Sequence, residues 1–342
     1  MSVDLSSRYL GLSLCSPIIA SASPLTRYVG AIRQFADAGA GAVVLPSLFE
    51  EQIEKDARLL EQLISIGSDS SPEVTSYFPS AARYNTGPGG YLDLIARARA
   101  AVKIPIIASL NGTTKTGWIE YARQIEQAGA SALELNIYQI MSDPGVTGAI
   151  ADAAYIGLVK AVRAAVKIPI AVKLHPYFSA FGSLARELDQ AGADGLVLFN
   201  RLYQPDIDLV RLGWKNDALL SGKGEIRLGL LWLSLLSGRL PHASLAAGTG
   251  VETADEIIKY ILAGADVVMT TSALLRGGAA HLNMMLRELE RWLAARGFKS
   301  VDEIKGLLRR EDQGHEARIR GDYITTLLDY RVPGHSAPKT AI

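Results

Sequence analysis

Short unbroken apolar runs alternate along this chain with longer stretches of helical periodicity. Eight runs can be marked: Ile18–Ala22, Ala42–Leu45, Ile104–Ser109, Ala132–Ile137, Ile168–Leu174, Gly195–Phe199, Ala243–Ala247 and Asp266–Met269. Runs that do not alternate apolar with polar positions suit strands covered on both faces, as in a parallel sheet. Helical patterns separate them, over Val29–Ala38, Tyr91–Val102, Gly117–Ala128, Ala153–Val166, Phe178–Ala191, Ile226–Ser237, Thr253–Ala263 and Leu275–Ala295.

Two repeats punctuate the series. Ala-Gly-Ala recurs at Ala38–Ala40, Ala128–Ala130, Ala191–Ala193 and Ala263–Ala265, each time after a helical pattern and before an apolar run. A glycine just past a helix closes it in the left-handed conformation. Ala-Val-Lys-Ile-Pro occurs at Ala101–Pro105 and again at Ala165–Pro169, and a proline at a strand's first residue forfeits no ladder bond. Strand–helix units in this order predict an α/β protein, a (β/α)₈ or TIM barrel. We expect one domain over residues 1–342, with the barrel at about 10–296 and a short helical extension over 297–342. Loop insertions follow the second and sixth runs, Ser47–Gly90 and Asn200–Gly224. Both leave strand C-termini, the face on which barrel active sites are built.

Composition narrows the function. The 342 residues include 35 Lys plus Arg and 35 Asp plus Glu, so neither nucleic acid nor an anionic membrane surface is implied as a partner. A single cysteine excludes a disulfide, a cysteine zinc site or an iron–sulfur cluster within the chain. Cys15 is expected to be a small buried hydrophobe. No His/Asp/Glu cluster has metal-ligand spacing, so no metal is expected. The most apolar helical stretch, Leu228–Leu236, falls short of the roughly 20 residues of a membrane span. The N-terminus lacks a basic segment followed by an apolar one. These features point to the cytoplasm.

Polar residues at the ends of the runs are the candidates for chemistry. They are Ser21 and Ser23, Ser109 and Asn111, Glu134, Asn136, Tyr138 and Gln139, Lys173 and His175, Asn200 and Arg201, Thr249, Thr271 and Ser272. Lys173 stands inside the apolar Ile-Ala-Val-Lys-Leu, where an ammonium is costly unless it faces an anion or a functional site. Gly248-Thr249-Gly250 and Thr270-Thr271-Ser272 end the last two runs just before helices. Backbone N–H groups, hydroxyls and helix N-termini meeting there suit a phosphate. His175, beside Pro176, reads as a partly buried, hydrogen-bonded imidazole.

At these residues the chain resembles the class 1 dihydroorotate dehydrogenases and their dihydroorotate dehydrogenase-like relatives, over roughly Leu10 to Trp292. The resemblance is carried by Ala20-Ser21-Ala22, Asn85 before Gly87-Pro88-Gly89-Gly90, Glu134-Leu135-Asn136, Val172-Lys173-Leu174-His175-Pro176, Asn200, and the glycines and hydroxyls of the last two strands. It implies an FMN-dependent oxidoreductase acting on a CH–CH group, a homodimer, and a place in pyrimidine metabolism. Ala20, Ser21, Ala22, Asn111, Asn136, Lys173, Gly222, Gly248, Thr249, Gly250, Thr271 and Ser272 would hold the flavin. Asn85, Asn136, Asn200 and Arg201 would hold a small planar polar substrate, with Lys173, Asn136, Gln139, Tyr138 and Asn200 nearest the chemistry. FMN is expected over FAD because no Gly-x-Gly-x-x-Gly follows a first strand.

Three positions depart from the family. Its loop Ser-Cys-Pro-Asn, whose cysteine is the catalytic base, is here Tyr138-Gln139-Ile140-Met141. A carboxamide takes up no proton at neutral pH. The family's lysine at the end of the second strand corresponds to Pro46, and the strand 6 asparagine is followed by Arg201 where the family has a small residue. The leading expectation is therefore an FMN oxidoreductase that acts on another substrate, or in the reductive direction with another proton donor, with an unidentified electron donor or acceptor. The alternatives are a true dihydroorotate dehydrogenase with an unconventional base, a flavin-binding barrel without turnover that serves a partner or regulatory role, and a non-redox phosphate-binding barrel.

Overall fold

The chain enters through a hairpin, β1 (Ser7–Tyr9) paired antiparallel with β2 (Leu12–Leu14). In the computed structural model, residues 3–53, 88–112, 114–215, 219–310 and 315–329 are described. Parallel strands follow: β3 (Ile18–Ala20), β4 (Ala42–Phe49), β5 (Ile106–Asn111), β6 (Ala132–Asn136), β7 (Ile170–Leu174) and β8 (Gly195–Leu198). A second hairpin, β9 (Asp206–Asp208) and β10 (Gly213–Lys215), lies in the long connection before β11 (Ser244–Ala247) and β12 (Val267–Thr270). The eight parallel strands form a closed barrel in the order β11-β12-β3-β4-β5-β6-β7-β8. The expected fold is thus the observed one.

Among the described residues, the barrel's helices include α1 (Val29–Asp37), α2 (Gly89–Ala101), α3 (Lys115–Gln127), α4 (Gly148–Ala165), α5 (Phe181–Gln190), α6 (Ile226–Leu236), α7 (Ala254–Ala263) and α8 (Ser272–Ala295). Each strand buries one set of side chains against them and the alternate set inside the barrel. Ile18, Val43, Leu133 and Val172 face the helices, whereas Ile19, Ala42, Val44, Ala132 and Ala171 face inward. The glycines of the Ala-Gly-Ala repeat take positive φ at Gly39, Gly129, Gly192 and Gly264, as helix closure requires. Residues Met1–Arg309 form one compact unit. Arg310–Ile342 form another, in which α9 (His315–Leu328) is described. Among the described residues, no helix is long and apolar enough to cross a membrane.

The first hairpin plugs the barrel's N-terminal end. Small inward residues (Ala42, Ala132, Ala171 and Ala246) leave room that Tyr9, Leu10 and Leu14 fill. Gly195 belongs to the same fit, since a Cβ there would lie 2.5 Å from Leu10 Cδ2. Cys15 corrects the expectation of burial. It is exposed, because side chains alternate along this segment and Leu14 and Ser16 take the buried positions. The second run also extends further than expected. β4 continues through Pro46, which has no N–H to donate, and pairing shifts register between Val44 and Ser47 before resuming to Phe49.

Candidate functional site

The strand C-termini converge on a cavity of about 210 Å³. Its wall takes Ser21 and Ala22 after β3, Lys173 from β7, Phe199, Asn200 and Arg201 after β8, Ser221 from the long connection, Gly248–Val251 after β11, and Met269–Ser272 at the end of β12. Among the described lining residues, Lys173 and Arg201 are cationic and none is a carboxylate. Each has a carboxylate partner outside the lining, Glu134 for Lys173 and Glu225 for Arg201.

One end is built from backbone and hydroxyls. Thr249 and Gly250 both have positive φ, 72° and 74°. A Cβ on Gly250 would lie 2.7 Å from Ile226 Cγ2 and 2.9 Å from the Gly222 carbonyl oxygen, so only glycine fits. The Ser221 hydroxyl accepts the Gly250 N–H at 3.2 Å and lies 3.0 Å from the Ser272 hydroxyl. The Tyr260 hydroxyl, reaching in from α7, sits 3.0 Å from the Gly248 carbonyl oxygen and 2.9 Å from that of Thr249. Helix α8 begins at Ser272, and its N-cap residue, Thr271, makes no side-chain cap. The Thr271 hydroxyl instead donates to the Ala22 carbonyl at 3.3 Å. The helical segment that opens here is short, because Gly278 breaks α8 with a non-helical φ of 61°, and what it offers an anion in the cavity is its first-turn N–H groups.

The opposite wall carries a chain of polar contacts across the barrel. Lys173 Nζ is 3.5 Å from Glu134 Oε1. Glu134, 1% exposed, accepts a hydrogen bond from the Ser109 hydroxyl at 3.1 Å. Ser109 and Ser47 hydroxyls are 2.8 Å apart. Asn136 Nδ2 donates to Ser47 Oγ at 3.2 Å, and Asn200 Nδ2 donates to Asn136 Oδ1 at 2.7 Å. Register explains the grouping: Ser47 pairs with Ser109 and Ser109 with Glu134, while Asn136 pairs with Lys173. The register thus stacks two adjacent levels, Ser47, Ser109 and Glu134 on one and Asn136 with Lys173 two residues further along their strands.

Arg201 forms an ion pair with Glu225 at 3.0 Å and donates to the Leu219 carbonyl. It also lines an adjoining cavity of about 320 Å³ with Tyr177, Gln204 and Arg227. His175 is buried and hydrogen-bonded, as the sequence suggests. Its Nδ1 accepts the Tyr177 N–H at 3.1 Å and its Nε2 is 3.3 Å from the Tyr155 hydroxyl. The ring stacks on Phe178 at 4.2 Å. Burial lowers its pKa, which favours a neutral ring with hydrogen on Nε2.

The structure brings Ser21, Ala22, Lys173, Asn200, Arg201, Gly248, Thr249, Gly250, Thr271 and Ser272 into one wall, and Asn136 joins it through Asn200. Other expected residues stand apart from the wall. Ala20 packs on the helix side of β3. Asn111 is buried at the end of β5, two residues beyond Ser109 of the network. The Tyr138 hydroxyl accepts the Tyr203 N–H, and Gln139 follows it, half-buried. Gly222 precedes a short 3-10 helix and donates to Glu225 Oε1 at 2.9 Å. Asn85 lies outside the described residues. Ser47, Ser221 and Tyr260 were missed by sequence reasoning. Ser47 follows a proline that masks the strand's continuation, and Tyr260 lies in an otherwise aliphatic helix face.

The family profile described as "Dihydroorotate dehydrogenase" matches residues 80–293. That span holds β5 to β12 and leaves out β3 and β4. The chain is 31% identical over 226 residues to "Putative dihydroorotate dehydrogenase A (fumarate)" of Aeropyrum pernix, covering 64% of this chain and 72% of that protein. It is 34% identical over 217 residues to "Dihydroorotate dehydrogenase B (NAD(+)), catalytic subunit" of Bacillus pumilus, covering 59% of this chain and 66% of that one.

Proposed function

The chain belongs to the dihydroorotate dehydrogenase family, and from that premise we propose that it is an FMN-dependent oxidoreductase acting at a CH–CH group of a small, planar, polar, dihydroorotate-like substrate. The observation that carries this is one cavity lined together by a glycine turn, an uncapped helix N-terminus, Lys173 and Arg201. The donors fit the group. A phosphate would take the Gly248–Gly250 turn, Thr271 and Ser272, and the close approach at Gly250 leaves that turn no room for a side chain. Ser21 and Ala22 would support the ring, and Lys173 would meet the charge that builds on a reduced isoalloxazine. When bound, FMN supplies the hydride acceptor. Asn136 and Asn200, already tied to one another, would orient the substrate's polar edge, and Arg201 would face an acidic substituent.

Gln139 stands in place of the family's cysteine, and a carboxamide takes up no proton at neutral pH. The usual base is therefore absent, and the substrate differs from dihydroorotate or its proton passes by another route. We further read the protein as a homodimer that works with a separate electron donor or acceptor. A true dihydroorotate dehydrogenase with an unconventional base is the second reading, favoured by the names of the matched relatives. The test is direct. The purified protein should be yellow, release FMN on heating, and gain thermal stability with added FMN, by about 2.7 kcal/mol at a hundredfold excess over Kd. A colourless protein that neither binds nor is stabilised by FMN rejects the reading.

A further inference from the structure

We propose that Tyr260 is a positioning residue that holds the Gly248–Thr249–Gly250 turn in its phosphate-binding form. This rests on the reading of that turn as the seat of the FMN phosphate. Thr249 has φ of 72°, a region in which a β-branched side chain is a strained outlier. Something must offset that strain, and the contacts show what does. The Thr249 hydroxyl donates to the Phe199 carbonyl at 2.8 Å. The Tyr260 hydroxyl is shared between the carbonyls of Gly248, at 3.0 Å, and Thr249, at 2.9 Å.

Tyr260 is fully buried, so without those acceptors its hydroxyl would be orphaned in the packing between α6 and α7. The seat is specific. Gly229 of α6 lies where a Cβ would come 2.9 Å from Tyr260 Oη and 3.0 Å from its Cε1. The two clamped carbonyls are held toward α7. The same turn, Gly248, Thr249 and Gly250 with Val251, lines the cavity. If the clamp were lost, Thr249 could relax to negative φ. The peptide planes beside it would rotate and bring a carbonyl oxygen toward the anion. The clamp therefore matters for a phosphorylated flavin and little for one without phosphate.

The experiment titrates the full-length protein, freed of bound flavin, with FMN and with riboflavin by flavin fluorescence. Tyr260→Phe should weaken FMN binding about ten-fold, the worth of roughly one well-placed hydrogen bond, while riboflavin binding moves by less than about two-fold. The loss should shrink in a Thr249→Gly background, because glycine holds positive φ unaided. Gly229→Ala, which crowds the tyrosine without removing its hydroxyl, should reproduce the selective loss and serves if Tyr260→Phe does not fold. Unchanged FMN affinity in a folded Tyr260→Phe protein overturns the proposal, as does an equal loss on both backgrounds. If the wild type shows no preference for FMN over riboflavin, the phosphate reading fails. The clamp is then judged by amide hydrogen exchange over residues 248–251 without ligand. Tyr260→Phe should accelerate it, and unaltered exchange overturns the clamp itself.

Discussion

Lys173 and Glu134 share a wall of the barrel, 3.5 Å apart, with the carboxylate almost entirely covered. In the sequence, Lys173 reads as a cation that must face an anion or a functional site, and the resemblance assigns it to the flavin. The pair changes that expectation. Lys173→Ala would leave Glu134 buried with the Ser109 hydroxyl as its remaining described partner, and breaking a buried pair from one side costs about 3–5 kcal/mol. We expect Lys173→Ala to lower the denaturation midpoint markedly, and the double variant Lys173→Met with Glu134→Gln to recover most of the loss. Urea titrations of the three proteins decide it. Equal midpoints for the wild type and Lys173→Ala would show that the pair contributes nothing. The same double variant is the proper probe of flavin electrostatics. It removes the cation together with its counter-charge, so a lowered flavin reduction potential in it isolates the part of the lysine's field that Glu134 does not cancel, without a folding defect.

At the scale of elements, the N-terminal hairpin offers the sharpest test of packing. The two residues of its turn, Leu10 and Gly11, both have positive φ, 54° and 74°, the twist that a two-residue hairpin loop favours. Leucine is poorly suited to that conformation, yet Leu10 is 3% exposed and helps to fill the barrel's base. Burial thus outweighs backbone strain. Gly195→Ala should destabilise by about 1–3 kcal/mol because the new methyl meets Leu10. Leu10→Ala should destabilise by about 2–5 kcal/mol through the cavity it leaves. Combined, the two should cost less than their sum, since the alanine at 195 occupies part of the space Leu10 vacates. Additive losses would place the two side chains out of contact.

The same hairpin shows why some of the fold was legible in the sequence and some was not. The barrel strands announce themselves because each is covered on both faces and reads as an apolar run, and the Ala-Gly-Ala repeat marks where helices close. The hairpin has neither signal. Its strands are three residues each, and their apolar side chains have meaning only against alanines far along the chain. The site divides the same way. Lys173, Asn200, Gly248–Gly250 and Ser272 were legible because strand ends fix where they point. Tyr138 and Asn111 stand outside that wall, and the position of a loop residue such as Tyr138 depends on a distant partner, here Tyr203. Ser47 was hidden because Pro46 appeared to end a strand that in fact continues past it.

For the whole molecule the decisive question is whether family membership extends to the family's reaction. Oxidation of a saturated C–C bond needs a group that takes a proton as hydride leaves, a contribution of about 10²–10⁴ in rate. The structure closes the nearest substitutes. Tyr138 uses its hydroxyl to accept a backbone N–H from the long connection after β8. His175 is engaged at both ring nitrogens, by the Tyr177 N–H and the Tyr155 hydroxyl, and burial disfavours its protonated form. Lys173 is a cation paired with Glu134. We therefore expect negligible reduction of bound FMN by dihydroorotate under anaerobic conditions. Gln139→Cys alone should not restore it. The loop that carries residue 139 is fixed by Tyr138 at one side, and β4 bulges at Pro46, where the resemblance places the family's second lysine. A new thiol would supply a base without the missing cation opposite. Rapid bleaching of the flavin by dihydroorotate in the wild type would overturn this reading, and would direct attention to the hydroxyl chain from Ser47 through Ser109 to Glu134 as the path by which the proton leaves.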